Sequence, residues 1–252
     1  MLLSLLSNIL IVIRSMLFYI TVYIVSISVI MIGAPIWFFA PIDSWLLRKH
    51  VTFLLSAISM SLRLICNVST RVEGLNNLPK DKAAILMMRH ESWYDATALA
   101  KHLNGRISAI AKQQITKFPM MSQMAKRTRS ILIDRESLSS LKIIFSKIPE
   151  LIDLKYSILI FPEGSRIDPN EKVDFKSGIL AIRKRFPELD IIPISTNSGD
   201  VIKKDFRIIP NSTIIIRVLP QIDKKISDEE FLEKSRDIIY NESQKLRKDQ
   251  ES

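Results

Sequence analysis

Cysteine occurs once, at Cys66, in 252 residues, which excludes an internal disulfide and a cysteine-based metal site. Histidine is scarce too. The 3 histidines, His50, His90 and His102, are scattered, so a histidine-rich metal site is not expected. Charge is missing altogether from Ser15 to Ala40, a run of 26 residues rich in Ile, Val, Leu, Phe and Met. Acidic residues are outnumbered, 26 against 36 basic ones, leaving a net charge of +10. A basic surface suits anionic partners such as phospholipid head groups, phosphorylated metabolites or acidic carrier proteins. Nucleic acid is the disfavoured member of that class, because the front of the chain is so apolar. No internal repeat or low-complexity linker interrupts the sequence.

The uncharged run is long enough to cross a bilayer as one helix, expected over about 15–40. Gly33 and Pro35 would kink or end it near its far side. A cleaved signal peptide would need a basic start and a small-residue cleavage site, and neither is present. A retained anchor over residues 1–69 is therefore expected. Its second part, 44–66, carries Val51, Leu54, Leu55, Ile58, Leu62 and Ile65 at helical spacing, with Arg48, Lys49 and His50 at the start. That pattern reads as an amphipathic helix in the membrane interface, or as a helix packed on a globular domain. The basic residues following the membrane-crossing helix, Arg48, Lys49, Arg63 and Arg71, against Arg14 and the amino terminus before it, place the C-terminal part on the cytoplasmic side.

From about residue 70 short apolar runs alternate with helical stretches. The expected strands are Ala83–Met88, Ile107–Ala111, Ile131–Asp134, Ile158–Phe161, Ile191–Ser195 and Thr213–Leu219. The expected helices are Asp95–Leu103, Pro119–Arg127, Leu138–Leu154 and Gly178–Phe186. A charged helix over about 228–248 begins after Ser227, with Glu230 completing a capping box. This alternation predicts an α/β domain over 70–252, a mixed and largely parallel sheet flanked by helices.

Ligand sites in such sheets gather at the carboxyl ends of strands. Three polar stretches fall there: Arg89–Asp95, Asp134-Arg135, and Phe161-Pro162-Glu163-Gly164-Ser165-Arg166. In the first, His90 precedes Asp95 by five residues. Five residues turn a helix by about 500°, so the side chains can meet only if His90 sits in a loop and Asp95 in the first helical turn. An imidazole backed by a carboxylate is a general base with an orienting partner. Alone, the pair reads equally well as a histidine at a helix cap. With two arginines and a carboxylate at the same sheet edge, it describes a site for an anionic substrate bearing a hydroxyl to activate.

Taken in order, these motifs resemble the lysophosphatidate acyltransferase (1-acyl-sn-glycerol-3-phosphate acyltransferase) family. His90 and Asp95 match its His-x4-Asp block, and Phe161 to Arg166 matches Phe-Pro-Glu-Gly-Thr-Arg. Lys112-Gln113-Gln114-Ile115, Pro119 and Ile133-Asp134-Arg135 match its middle block in part, with Gln114 and Ser122 departing from it. Lys176-Ser177-Gly178, Ile192-Pro193-Ile194 and Asn197-Ser198-Gly199 follow, so the likeness spans about residues 70–220.

The resemblance implies transfer of an acyl group from a thioester, acyl-CoA or acyl carrier protein, to the sn-2 hydroxyl of 1-acyl-glycerol-3-phosphate. The product would be phosphatidic acid for phospholipid synthesis. His90 would be the base and Asp95 its orienter. Arg135, Arg166 and Lys112 would hold the phosphate, Glu163 would orient an arginine or a glycerol hydroxyl, and Gly164 would let the main chain approach. No metal or cofactor is implied beyond the thioester co-substrate. The partners would be membrane lipids, lysophosphatidate and the acyl donor, at a bacterial inner membrane with the catalytic domain facing the cytoplasm. Rival readings are another acceptor (glycerol-3-phosphate, a lyso-aminolipid or another lysophospholipid), a non-catalytic lipid-binding protein on the same fold, and a thioesterase. Arg89, where many members have Asn, has two readings. Directed into the site it would favour the neutral imidazole, and directed away it is surface charge.

Overall fold

The computed structural model describes residues 2–251 apart from 43, 118, 135, 136 and 138. Three helices come first: α1 (Leu2–Ile32), α2 (Ala34–Phe39) and α3 (Trp45–Cys66). The strands β1 (Ser69–Glu73), β2 (Ala84–Met88), β3 (Ile107–Lys112), β4 (Ile131–Ile133), β5 (Ser157–Ile160), β6 (Asp190–Thr196) and β7 (Thr213–Val218) form one sheet in the order β1-β7-β6-β2-β5-β3-β4. Between and after them run α4 (Asp95–Ala100), α5 (Pro119–Arg127), α6 (Ser140–Asp153), α7 (Gly178–Arg185), α8 (Ser198–Val201) and α9 (Asp228–Glu251). Strands β6, β2, β5, β3 and β4 are mutually parallel, β7 is antiparallel to β6, and β1 is parallel to β7. The sheet is mixed and mostly parallel, as the alternating pattern predicts.

All five residues of β2 are buried, which is why it reads as an unbroken apolar run rather than an alternating one. Its side chains divide between two cores. Ala84, Leu86 and Met88 pack with α3 and α4, while Ile85 and Met87 pack with α6, α7 and α9. Helix α9 is anchored at its start, where Glu230 N donates to Ser227 Oγ at 3.2 Å.

The N-terminal helices depart from the expected boundaries. The first helix begins at Leu2, because the residues before Arg14 are as apolar as those after it, and ends at Ile32. The break falls at Gly33, as expected, and has a packing cause. A Cβ there would lie 2.1 Å from Cε1 of His50, so only glycine admits that ring. The chain then turns back, and α1 and α3 lie antiparallel. Gly33 meets His50 at one end, and Cys66 Sγ contacts Arg14 O at 3.9 Å at the other.

Of the two readings of the α3 stripe, the burial of Val51, Leu54, Leu55, Ile58 and Leu62 in a core shared with α1, α4 and the sheet is that of a helix packed on the domain. A different set, Phe53, Met60 and Leu64, faces outward. Helix α1 buries Ser15, Phe18, Ser26 and Val29 and exposes Ile13, Leu17, Ile20, Ile24, Ile27 and Met31 on the opposite side. Both α1 and α3 are long and apolar enough to cross a membrane by length and composition.

Candidate active site

Strand β2 stops at Met88, and Arg89 N donates to Ile194 O of β6 at 3.1 Å, fixing where the following loop leaves the sheet. His90 lies in that loop, and Asp95 is the first residue of α4. The loop-then-helix geometry required by the five-residue spacing is present. His90 Nδ1 is 3.2 Å from Asp95 Oδ2.

Asp95 is fully buried and well supplied with partners. Its Oδ2 also accepts from Glu91 N and Ser92 N, each at 2.9 Å. Its Oδ1 accepts from Ser92 Oγ at 3.0 Å and from Ser198 Oγ of α8. These contacts fix the carboxylate's orientation, and with it the imidazole nitrogen it engages. The imidazole is also stacked on Phe161, centroids 3.9 Å apart at 21°, and the His90 carbonyl accepts from Ile167 N at 2.9 Å. With Nδ1 committed to Asp95, Nε2 is the nitrogen able to take a proton from an incoming group.

The next wall comes from the turn after β5. Gly164 has φ +79°, and its N–H donates to Phe161 O at 3.0 Å, a tight turn that a residue with a Cβ would adopt only under strain. Glu163 is carried inside by this turn. It is 5% exposed, and neither carboxyl oxygen has a hydrogen-bond partner among the described residues. Burial pushes it up to about 8, reinforced by the neighbouring Glu91 and Asp95 charges and opposed by Arg89. At neutral pH Glu163 is therefore mostly a neutral acid, able to donate one hydrogen bond. Of the two partners expected for it, an arginine or a glycerol hydroxyl, no arginine among the described residues is bonded to it.

Arg166, half-buried, has its guanidinium 5.6 Å from the ring centroid of Phe206. Phe206 is exposed, holds φ +67°, and meets the ring of Tyr19 edge-on at 5.9 Å. Tyr19 belongs to α1, and its hydroxyl accepts from Trp93 Nε1 of the His90 loop at 3.1 Å. Helix α1 thus reaches the candidate site through Tyr19. Lys112 is exposed at the carboxyl end of β3. Its strand is separated from β2 by β5, about 10 Å away at sheet level. Arg135, two residues beyond β4, lies outside the described residues.

Arg89 fits neither of its two readings. It is 2% exposed, and Nε donates to Glu91 Oε1 at 2.5 Å. Sequence reasoning gave no role to Ser92, Ser198, Phe161, Tyr19 or Phe206. Phe161 and Ser198 were visible within recognised motifs, whereas Tyr19 was hidden in a uniformly apolar helix.

A buried carboxylate locking a loop histidine, beside a second buried carboxyl at the carboxyl edge of a mostly parallel sheet, is an arrangement that can activate a hydroxyl as a nucleophile. A family model described as Acyltransferase matches residues 69–197. The 1-acyl-sn-glycerol-3-phosphate acyltransferase of Pseudomonas aeruginosa is 27% identical over 195 residues, covering 74% of this chain and 72% of that one. The protein of that name from Helicobacter pylori is 31% identical over 113 residues, 44% of this chain and 47% of that one. The lyso-ornithine lipid O-acyltransferase of Brucella abortus is 24% identical over 109 residues, 43% of this chain and 40% of that one. The crystal structure of the 1-acyl-sn-glycerophosphate acyltransferase PlsC from Thermotoga maritima superposes with a TM-score of 0.67 at 17% identity, covering 91% of this chain and 98% of that one. The chain belongs to the Acyltransferase family, and it is an acyltransferase.

Proposed function

We propose that the chain transfers a fatty acyl group from an acyl thioester, acyl-CoA or acyl carrier protein, to the sn-2 hydroxyl of 1-acyl-glycerol-3-phosphate, making phosphatidic acid. The observation that carries this is the commitment of His90 Nδ1 to Asp95 Oδ2, which leaves Nε2 to act as base. As the glycerol oxygen attacks the thioester carbonyl, Nε2 takes its proton. The tetrahedral intermediate collapses by breaking the carbon–sulfur bond, and the thiolate leaves with the proton from the imidazolium. An ester forms, a thiol is released, and the base is regenerated. The acceptor hydroxyl is itself the nucleophile, so no acyl-enzyme, metal or cofactor enters the scheme.

Arg166, with Lys112 and Arg135 from neighbouring strand ends, holds the acceptor phosphate by charge-assisted hydrogen bonds. Neutral Glu163 donates to a glycerol or phosphate oxygen, and Gly164 lets the main chain come close to it. The outward apolar faces of α1 and α3 hold the domain on the membrane, where a one-chain lipid resides. That membrane is the bacterial inner membrane, with the catalytic domain on its cytoplasmic side. The acceptor and the name of the P. aeruginosa and H. pylori relatives agree. The B. abortus relative favours a second reading in which the acceptor is a lyso-ornithine lipid.

The test is an assay of the protein in vesicles with labelled acyl-CoA or acyl carrier protein. The acceptors offered are 1-acyl-glycerol-3-phosphate, glycerol-3-phosphate and lyso-ornithine lipid. Labelled phosphatidic acid as the dominant product supports the first reading, and a labelled ornithine lipid supports the second. Labelled free acid in the absence of any acceptor identifies a thioesterase and overturns both.

A further inference from the structure

A network of buried charges lies behind the His90 loop, and the scheme above does not use it. Its centre is Glu91, whose side chain has no exposure. Glu91 Oε1 accepts from Arg89 Nε at 2.5 Å and from Arg247 Nη2 at 2.6 Å, and Oε2 accepts from Gly199 N at 3.0 Å. Arg89 Nη2 donates to the carbonyls of Asp168, Pro169 and Glu171 at 3.1, 3.0 and 2.8 Å. Arg247 stands near the end of α9, 11% exposed, with Nε 2.8 Å from Asp200 Oδ2 and Nη1 donating to Ser243 O at 2.8 Å. The C-terminal helix and α8 therefore meet the His90 loop at one carboxylate, and Arg89 ties the segment 168–171 to it.

Buried ion pairs add little net stability, because desolvation offsets most of the attraction. What this one does secure is position. The main-chain N–H of Glu91 donates to Asp95 Oδ2 at 2.9 Å, and its neighbour is His90. Any shift of Glu91 moves a donor that holds Asp95 and displaces the base with it. There is no slack on the opposite side. A Cβ on Gly199 would lie 3.0 Å from Glu91 Cβ and 3.1 Å from its Oε2.

We propose that Arg247 is a positioning residue for acyl transfer: through Glu91 it fixes the loop that carries His90 and the Glu91 N–H donor to Asp95. The C-terminal helix is thereby part of the catalytic apparatus, 156 residues away from the loop it steers. This rests on the acyl-transfer reading above.

The experiment compares wild type, His90→Ala, Arg247→Met, Arg247→Lys and Gly199→Ala in the same vesicles, with kcat and both KM values measured and folding followed by thermal denaturation. Arg247→Met is expected to lower kcat by about 10- to 100-fold, the scale of a sub-ångström to ångström misplacement of reacting groups. Both KM values should stay within about twofold, since no substrate contact is removed. Arg247→Lys should recover part of the loss, because an ammonium reaches Glu91 but cannot fork between Glu91 and Asp200. Gly199→Ala, which presses on Glu91 while leaving every charge in place, should lower kcat several-fold. Unchanged kcat in folded Arg247→Met, or a change confined to KM, overturns the proposal. If Arg247→Met is unfolded at the assay temperature, Gly199→Ala decides, and unchanged kcat there overturns it. Wild type that transfers to no acceptor, or that matches His90→Ala, instead removes the acyl-transfer reading itself.

Discussion

Ser198 Oγ, at the start of α8, donates to Asp95 Oδ1, so the ends of two neighbouring strands, β6 and β2, are joined at the carboxylate behind His90. The two residues are 103 positions apart. The bond is buried, so water cannot replace it when the hydroxyl is lost.

Ser198→Ala is therefore expected to lower kcat about tenfold, equivalent to about 1.4 kcal/mol, with little effect on either KM. Steady-state kinetics with acceptor and donor varied in turn check this. A variant with wild-type kcat removes Ser198 from the account.

Glu163 links stability to pH. Its folded carboxyl titrates near 8, against about 4.5 when exposed in the unfolded chain. Between those values the unfolded chain has released the proton and the folded chain keeps it, so stability falls as pH rises through that window. The fall amounts to as much as about 5 kcal/mol. Glu163→Gln should match wild type in thermal midpoint near pH 5 and exceed it near pH 9, while as a neutral donor it retains acyl transfer. Equal pH dependence in the two proteins would mean that Glu163 is ionised in the fold.

The aromatic bracket about Arg166 bears on the acceptor. Phe206→Ala removes a cation–π contact of about 0.5–1 kcal/mol and should raise the acceptor KM about two- to fivefold. The donor KM should not move. A change in the donor KM alone would place Arg166 on the wrong substrate.

Anchoring can be tested on the outward face of α1. Lysines at Leu17 and Ile24, both exposed and on the side away from α3, leave the fold's interior untouched. Each costs about 2.5–3.5 kcal/mol if that face lies in hydrocarbon. The double variant should shift from the membrane pellet to the supernatant on fractionation. Retention in the pellet at the wild-type level argues against this face as the anchor.

Much of the fold was legible because buried parallel strands announce themselves as apolar runs. Ala84–Met88, Asp190–Thr196 and Thr213–Val218 all lie within a residue or two of the expected spans. Strand β1 was missed because Ser69–Glu73 is a half-exposed edge strand. Polar pairs hold it in place, with Glu73 bonded to Arg217 at 2.7 Å and Ser69 Oγ lying 2.8 Å from Thr213 Oγ1. The α3 stripe was read correctly as apolar, but periodicity cannot say whether a face meets lipid or a sheet.

Within the site, local spacing was enough to join His90 to Asp95. The turn at Gly164 was likewise visible in its motif. Arg247 carried no such signal, since an arginine in a charged C-terminal helix looks like any solvated residue. Its contact with Glu91 depends on how α9 packs across the sheet. Arg89 was misjudged for the same reason, as its partners at 168–171 come from a distant loop.

The most direct test of the central claim is acyl transfer by His90→Ala against wild type in matched membranes, with folding confirmed by thermal denaturation. Loss of the proton acceptor should lower turnover by about two orders of magnitude or more while the protein stays folded. Near-normal turnover in that variant would contradict the assignment of His90 as the base.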